Sequence, residues 1–276
     1  MIDSPDFLRD AVSRRTFLTR MTAAGLGTAA AALIAGCGGS SNSSGPTPGN
    51  TGSGPGGLGV FADAKNFPGI PGANENVVVL NFALTLETLE ADIYRQVLNI
   101  AAGKPLATPL PADGGASYTQ AVGNGSLNPA LAHVGFLYLQ QFASVEAAHR
   151  DFLRAAITAA GATPVPANPK GYTIGLAPGT DLGTLMTLIR TVEETGVTAY
   201  LGAAGFLTDA TLVQIAASIY TTEARHSSAI NYILGLDTGP SKAVGGVQPS
   251  PGALNEFEYA NSPATVLNAV KPFFIV

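Results

Sequence analysis

Residues 193–226 read EETGVTAYLGAAGFLTDATLVQIAASIYTTEARH. Asp209 suits a helix cap, and only Leu207 and Thr208 separate the helical pattern before it from the one after it, so the two segments must be antiparallel neighbours. Glu193 lies 15 residues before Thr208, and Glu223 lies 15 residues after it. With a rise of 1.5 Å per residue, both stand about 22 Å from the turn, at the same height. Glu223 is followed three residues later by His226, and positions three apart on a helix share a face. The stripe Ile219, Glu223, His226, Ile230 and Ile233 puts that pair on the apolar side. A buried carboxylate or imidazolium without a partner costs several kcal/mol, so it must neutralise, pair or bind a metal.

The arrangement recurs upstream. Glu146-x-x-His149 sits on the stripe Leu139, Phe142, Glu146, His149 and Leu153, and Glu87 precedes Tyr94 by seven residues as Glu193 precedes Tyr200. Two related halves are implied, each a Glu helix followed by a Glu-x-x-His helix. Four helices are predicted: from about Asn74 to Ala102 with Asn74 as cap; from Asn128, with Pro129 in the first turn, to near Gly161; from Thr180 or Asp181 to about Phe206; and from Asp209 to Gly235. Gly196, Gly202 and Gly205 weaken the third.

The second and third helices are joined by roughly 19 residues, which fully extended reach about 60 Å. That is enough to travel the length of a bundle. An all-α four-helix bundle with one long crossover has the ferritin-like topology, and one Glu from each of two helices plus Glu-x-x-His from the other two is the ligand set of ferritin-like di-iron and di-manganese proteins. Glu87, Glu146, His149, Glu193, Glu223 and His226 are therefore the candidate metal ligands, and four negative charges suit two divalent ions, iron or manganese. The competing reading is a buried hydrogen-bonded network of the same six residues. Glu90 and Glu194 are alternative ligands, with a solvated or supporting role the plainer expectation. Tyr94 and Tyr200 either hydrogen-bond a ligand or relay electrons, although an aromatic on a core stripe more often packs. His133 has no partner at ligand spacing and reads as a partly buried structural histidine.

The segments Asn81-Phe82-Ala83-Leu84-Thr85-Leu86-Glu87-Thr88-Leu89-Glu90-Ala91 and Glu193-Glu194-Thr195-Gly196-Val197-Thr198-Ala199-Tyr200-Leu201-Gly202-Ala203-Ala204 resemble exported ferritin-like proteins related to plant desiccation-related proteins. The resemblance runs from about Val77 to Ile233, with both Glu-x-x-His pairs intact. It implies the fold and a metal site; the family's activity is poorly defined.

The N-terminal region reads as an address. Ser13-Arg14-Arg15-Thr16-Phe17-Leu18 precedes an uncharged run from Met21 to Gly36, resembling a twin-arginine export signal. The run has 16 residues, short of the roughly 20 that span a bilayer. Leu33-Ile34-Ala35-Gly36-Cys37 looks like a lipobox in which Cys37, the chain's one cysteine, is lipidated; a coincidental cysteine after an ordinary cleavage site is the alternative. Residues 38–59, almost wholly Gly, Ser, Pro, Thr and Asn, read as a disordered spacer. The expected organisation is a signal peptide over 1–36, a lipobox cysteine and linker over 37–59, and the bundle with an irregular C-terminal tail over 60–276. In that tail Ser262-Pro263 suits the start of a short helix, and Phe273-Phe274-Ile275-Val276 is expected to pack on the bundle.

Of the 276 residues 46% are hydrophobic, ample for a core, and 12% are charged with a net charge of -5, which lacks the basic surface that nucleic acid requires. Two classes of function remain. One is an envelope oxidoreductase acting on peroxide or dioxygen, membrane-tethered through Cys37; the other is a non-catalytic stress or metal-binding lipoprotein built on the same bundle. Cage-type iron storage fits poorly with a lipid tether.

Overall fold

A computed structural model of the chain describes residues 66–240, 244, 246 and 257–276. The leader, Cys37 and the whole of the spacer lie outside the described residues. Four long helices form the bundle: α1 (Glu75–Ala101), α2 (Pro129–Ala159), α3 (Leu182–Ala203) and α4 (Ala210–Ile233). Each begins where its sequence supplies an acceptor for an unpaired amide. Asn74 accepts from Val77 N, Asn128 from Ala130 N, Asp181 from Thr184 N, and Asp209 from both Thr211 N and Leu212 N. The third helix ends slightly earlier than its pattern suggests, because Ala204–Phe206 tightens into a 3₁₀ turn before the connection to α4.

α1 packs along α2 and α3 along α4, while α1 meets α3 and α2 meets α4 across the core. The crossover can be followed by its hydrogen bonds to α1. Near the start of α1, Asn81 Oδ1 accepts from Val165 N at 2.7 Å; four turns further along, Gln96 Nε2 donates to Tyr172 O at 3.0 Å. Leu182 N then donates to Gly123 O in the loop that follows α1. The connection therefore climbs the full length of the bundle, and α3 runs antiparallel to α1. At the opposite end Asn76 clamps Thr208 through two bonds of 2.9 Å, fixing the height of α1 against the α3–α4 turn.

A fifth helix, α5 (Pro263–Val270), is capped by Ser262 and packs on α3. Phe274 makes an isolated antiparallel bridge with Tyr172, and their rings meet edge to face at 5.1 Å. The tail expectation holds for Phe273 and Phe274, which pack against the core, but not for its last two residues. Ile275 is 40% exposed and Val276 95%, although the Ile275 backbone still bonds to Gly171 and Asn168 of the crossover. Among the described residues no helix is long and apolar enough to cross a membrane.

The glycines of α3 have packing reasons. A Cβ on Gly202 would stand 1.9 Å from Asn261 O, whose own amide donates to Thr198 O at 3.0 Å, so the bare face of Gly202 is where the tail docks. Gly202→Ala should lower stability by about 1–3 kcal/mol in denaturant unfolding, the usual cost of overpacking. Gly205→Ala, with nothing within 4 Å, should be close to neutral. Equal effects of the two would disprove the docking role.

Candidate metal centre

The apolar packing falls into two clusters, a larger one that includes Tyr94, Leu139, Phe142 and Ile230 and a smaller one with Leu84, Leu153, Tyr200 and Ile219. Amid this packing lies a layer of charge. Glu87, Glu146 and Glu223 are fully buried, Glu193 and His226 nearly so, and His149 keeps an exposed edge, with 15% of its side chain accessible. All six sequence-identified residues meet here.

They form two overlapping groups. Glu87, Glu146, His149 and Glu223 each present a ligand atom within 4.8 Å of the others, and so do Glu146, Glu193, Glu223 and His226. Glu146 and Glu223 belong to both. Glu146 reaches outward with both oxygens, Oε2 lying 3.2 Å from His149 Nδ1 and Oε1 2.9 Å from His226 Nδ1. His149 Nδ1 is also 3.4 Å from Glu87 Oε2 and 3.3 Å from Glu223 Oε1, and His226 Nδ1 is 3.4 Å from Glu193 Oε1.

One proton on a ring nitrogen cannot serve three carboxylates. Glu87 Oε2, Glu146 Oε1, Glu193 Oε2, both oxygens of Glu223 and His226 Nδ1 accordingly remain buried without a properly formed hydrogen bond. Native interiors rarely leave so many polar atoms unpaired in one place. Hard oxygen donors and imidazole converging on two common points fit two divalent ions such as iron or manganese. The donors present thus match the metal group that the topology implies.

Without ions the layer holds protons. Burial, then the charge of Glu223, pushes the Glu87 carboxyl up to about 8. Burial also raises Glu193, and burial with the charges of Glu146 and Glu193 raises Glu223 well above the usual carboxylate range. Burial would raise Glu146 too, but the cationic rings of His149 and His226 on either side overcome it and hold that carboxyl down at about 2. Both imidazoles are shifted upward although burial opposes their charge: His149 by the carboxylates of Glu146, Glu223 and Glu87 close around it, and His226 by the charge of Glu193 and the nearby Glu146 carboxylate.

A family model for the ferritin-like domain matches residues 75–236, from the first turn of α1 to just past α4. The chain belongs to the ferritin-like domain family. A search of curated proteins finds no match to it. In this ferritin-like bundle the tyrosines act across the core: Tyr94 of α1 donates to Glu193 Oε1 of α3, and Tyr200 of α3 donates to Glu87 Oε1 of α1 at 2.5 Å. Of the readings open for these rings, the hydrogen bond to a candidate ligand holds, since each hydroxyl orients a carboxylate of the opposite helix. Seven-residue spacing puts them on the right face but cannot reveal that antiparallel α1 and α3 exchange partners.

Of the two roles expected for Glu90 and Glu194, solvated or supporting, the solvated one does not hold. Glu90 is 4% exposed and faces the charged layer, whereas Glu194 is fully buried away from it, accepting from Asn231 Nδ2 at 3.3 Å and lying 3.2 Å from Arg190 Nε. His133 is exposed rather than partly buried, because its position falls on the outer side of α2. Sequence reasoning missed the role of Phe142, whose ring stacks on His226 with centroids 3.7 Å apart. The available signal was its place one turn before Glu146 on the ligand face.

Proposed function

We propose that the protein is an exported two-metal redox protein, in which a pair of iron or manganese ions reacts with peroxide or dioxygen. The observation that carries this reading is that Glu146 and Glu223 each belong to both ligand groups, as two carboxylates bridging two ions would. Glu87 and His149 would complete one position, Glu193 and His226 the other. Bound there, such ions supply the electrons for reducing an oxygen species.

The chain's own residues do the rest. Tyr200 and Tyr94 direct the lone pairs of Glu87 and Glu193 inward, fixing carboxylates that would otherwise rotate. Phe142 covers the His226 ring and keeps water from that side. The exposed edge of His149 leaves the other side reachable by a small molecule. Metal analysis of protein purified after native export, with peroxide consumption measured on the same sample, tests the proposal. Two redox ions per chain with turnover are expected. Protein that takes up neither iron nor manganese on reconstitution defeats it, whereas stable metal without turnover favours the non-catalytic reading.

The export half of the proposal rests on sequence. Arg14 and Arg15 would direct a folded bundle through the twin-arginine route, and Cys37 would carry the lipid that holds it at the envelope. Cys37→Ser should abolish labelling by a fatty-acid probe, and the double variant Arg14→Lys, Arg15→Lys should accumulate inside the cell. Persistent labelling would remove the lipid anchor, and unchanged export would remove the twin-arginine route.

A further inference from the structure

The two halves of the bundle correspond at the six ligands and the two tyrosines, but not at Glu90. Glu87 and Tyr94 of α1 answer to Glu193 and Tyr200 of α3, and by the same offset the counterpart of Glu90 is Gly196. The exchange places a fifth carboxyl group beside the four glutamate ligands, opposite a missing side chain. Glu90 Oε2 has no hydrogen-bond partner. A Cβ on Gly196 would stand 3.0 Å from Glu90 Oε1 and 3.3 Å from Glu223 Oε2, so both carboxylates border the same small space. Each half of the arrangement is costly, a glycine in mid-helix and a buried carboxyl with an unpaired oxygen. The six ligands of the two groups account for neither.

We propose that Glu90 is a seventh metal ligand, belonging to the position formed by Glu87, Glu146, His149 and Glu223, and that Gly196 supplies the space through which its carboxylate turns to reach the ion. The inference rests on the two-metal reading of the site. Glu90 lies one turn from Glu87 on α1, and the charges that act on it most are those of Glu223 and then Glu87. In the metal-free arrangement its oxygens stand outside both four-residue groups, so ligation requires rotation of the side chain with the helix in place. The consequence is inequality. The His149 position gains a fourth carboxylate donor and is the side with an exposed edge, while the His226 position is closed by Phe142 and has glycine where the extra donor would be.

Cobalt(II), titrated without oxygen into the full chain, reads this directly, since its visible absorption reports coordination number. Wild-type protein should bind two cobalt ions in two resolved steps. Glu90→Gln should weaken one step by at least tenfold, the scale on which such groups tune metal affinity, and shift that step's spectrum toward a lower coordination number. The other step should stay within twofold. Gly196→Ala, which crowds the turning carboxylate without removing it, should reproduce the same selective loss and keeps the test open if Glu90→Gln folds poorly. Unchanged steps and spectra in both variants, or equal weakening of both steps, would overturn the seventh ligand while leaving the two-metal reading intact. Wild-type protein that binds no cobalt would overturn both.

Discussion

Glu146→Gln should empty both ion positions at once, whereas Glu87→Gln should empty one. Glu146 lies against both imidazoles, 3.2 Å from His149 Nδ1 and 2.9 Å from His226 Nδ1, so its loss removes a donor from each group. Glu87 belongs to one group alone. Elemental analysis should therefore give almost no metal in the first variant and about half the wild-type content in the second, with peroxide or dioxygen turnover at background in both. Metal-free stability separates the two shared carboxylates further. Glu146 is the ionised partner of two cationic rings, and breaking a buried pair of this kind typically costs about 3–5 kcal/mol. Glu223 is different: neither of its oxygens has a formed hydrogen bond and burial keeps the group protonated, so Glu223→Gln should leave the metal-free fold as stable as wild type or more so. A Glu146→Gln protein that retains two ions would refute the bridging assignment.

The metal-free protein should lose stability as pH rises from 5 to 8, the reverse of what paired surface carboxylates produce. Glu87 titrates at about 8 in the folded chain against 4.5 for a free side chain, so its contribution is complete below pH 4.5 and drains away up to about pH 8. Each pH unit in that window costs the fold about 1.4 kcal/mol per such group. Glu193 and Glu223 are shifted in the same direction, and the raised imidazoles add the same sign above pH 6.5. Glu146 has the opposite sign, contributing above pH 4.5 and losing its effect only as pH falls through about 2, outside the window. Bound metal displaces these protons, so manganese should stabilise the chain far more at pH 8 than at pH 5. Thermal unfolding with chelator and with manganese at several pH values checks this. A chelated protein whose melting temperature rises between pH 5 and 8 would contradict it.

Much of the architecture is legible in local chemistry. Asn74, Asn128 and Asp209 are recognisable as caps because a helical pattern starts directly after each, and each accepts the expected backbone amide. Four of the six candidate ligands are visible because three-residue spacing on an apolar stripe is a property of one helix, and Glu87 and Glu193 because each stands seven residues before a tyrosine on its own helix. Features that escape a reading of the sequence depend on contacts between helices. The exchange of Tyr94 and Tyr200 between halves, the space that Gly196 leaves for Glu90, and the docking of the tail at Gly202 each involve a partner distant in the chain, so no helical periodicity encodes them. His133 shows the converse: without ligand spacing, its place on α2 has to be judged from composition, and the outward face of that helix decides it.

The crossover carries a consequence for assembly. Residues 160–181 form the covalent link between the hairpin of α1 and α2 and the hairpin of α3 and α4. Neither hairpin owns a complete ligand group: the first supplies three of four residues for one group and borrows Glu223, while the second supplies three of four for the other and borrows Glu146. Each half thus holds the other's missing piece. Two separately made hairpins should recombine far better with manganese or ferrous iron than without, the ions serving as cement between fragments that the chain normally keeps together by length alone.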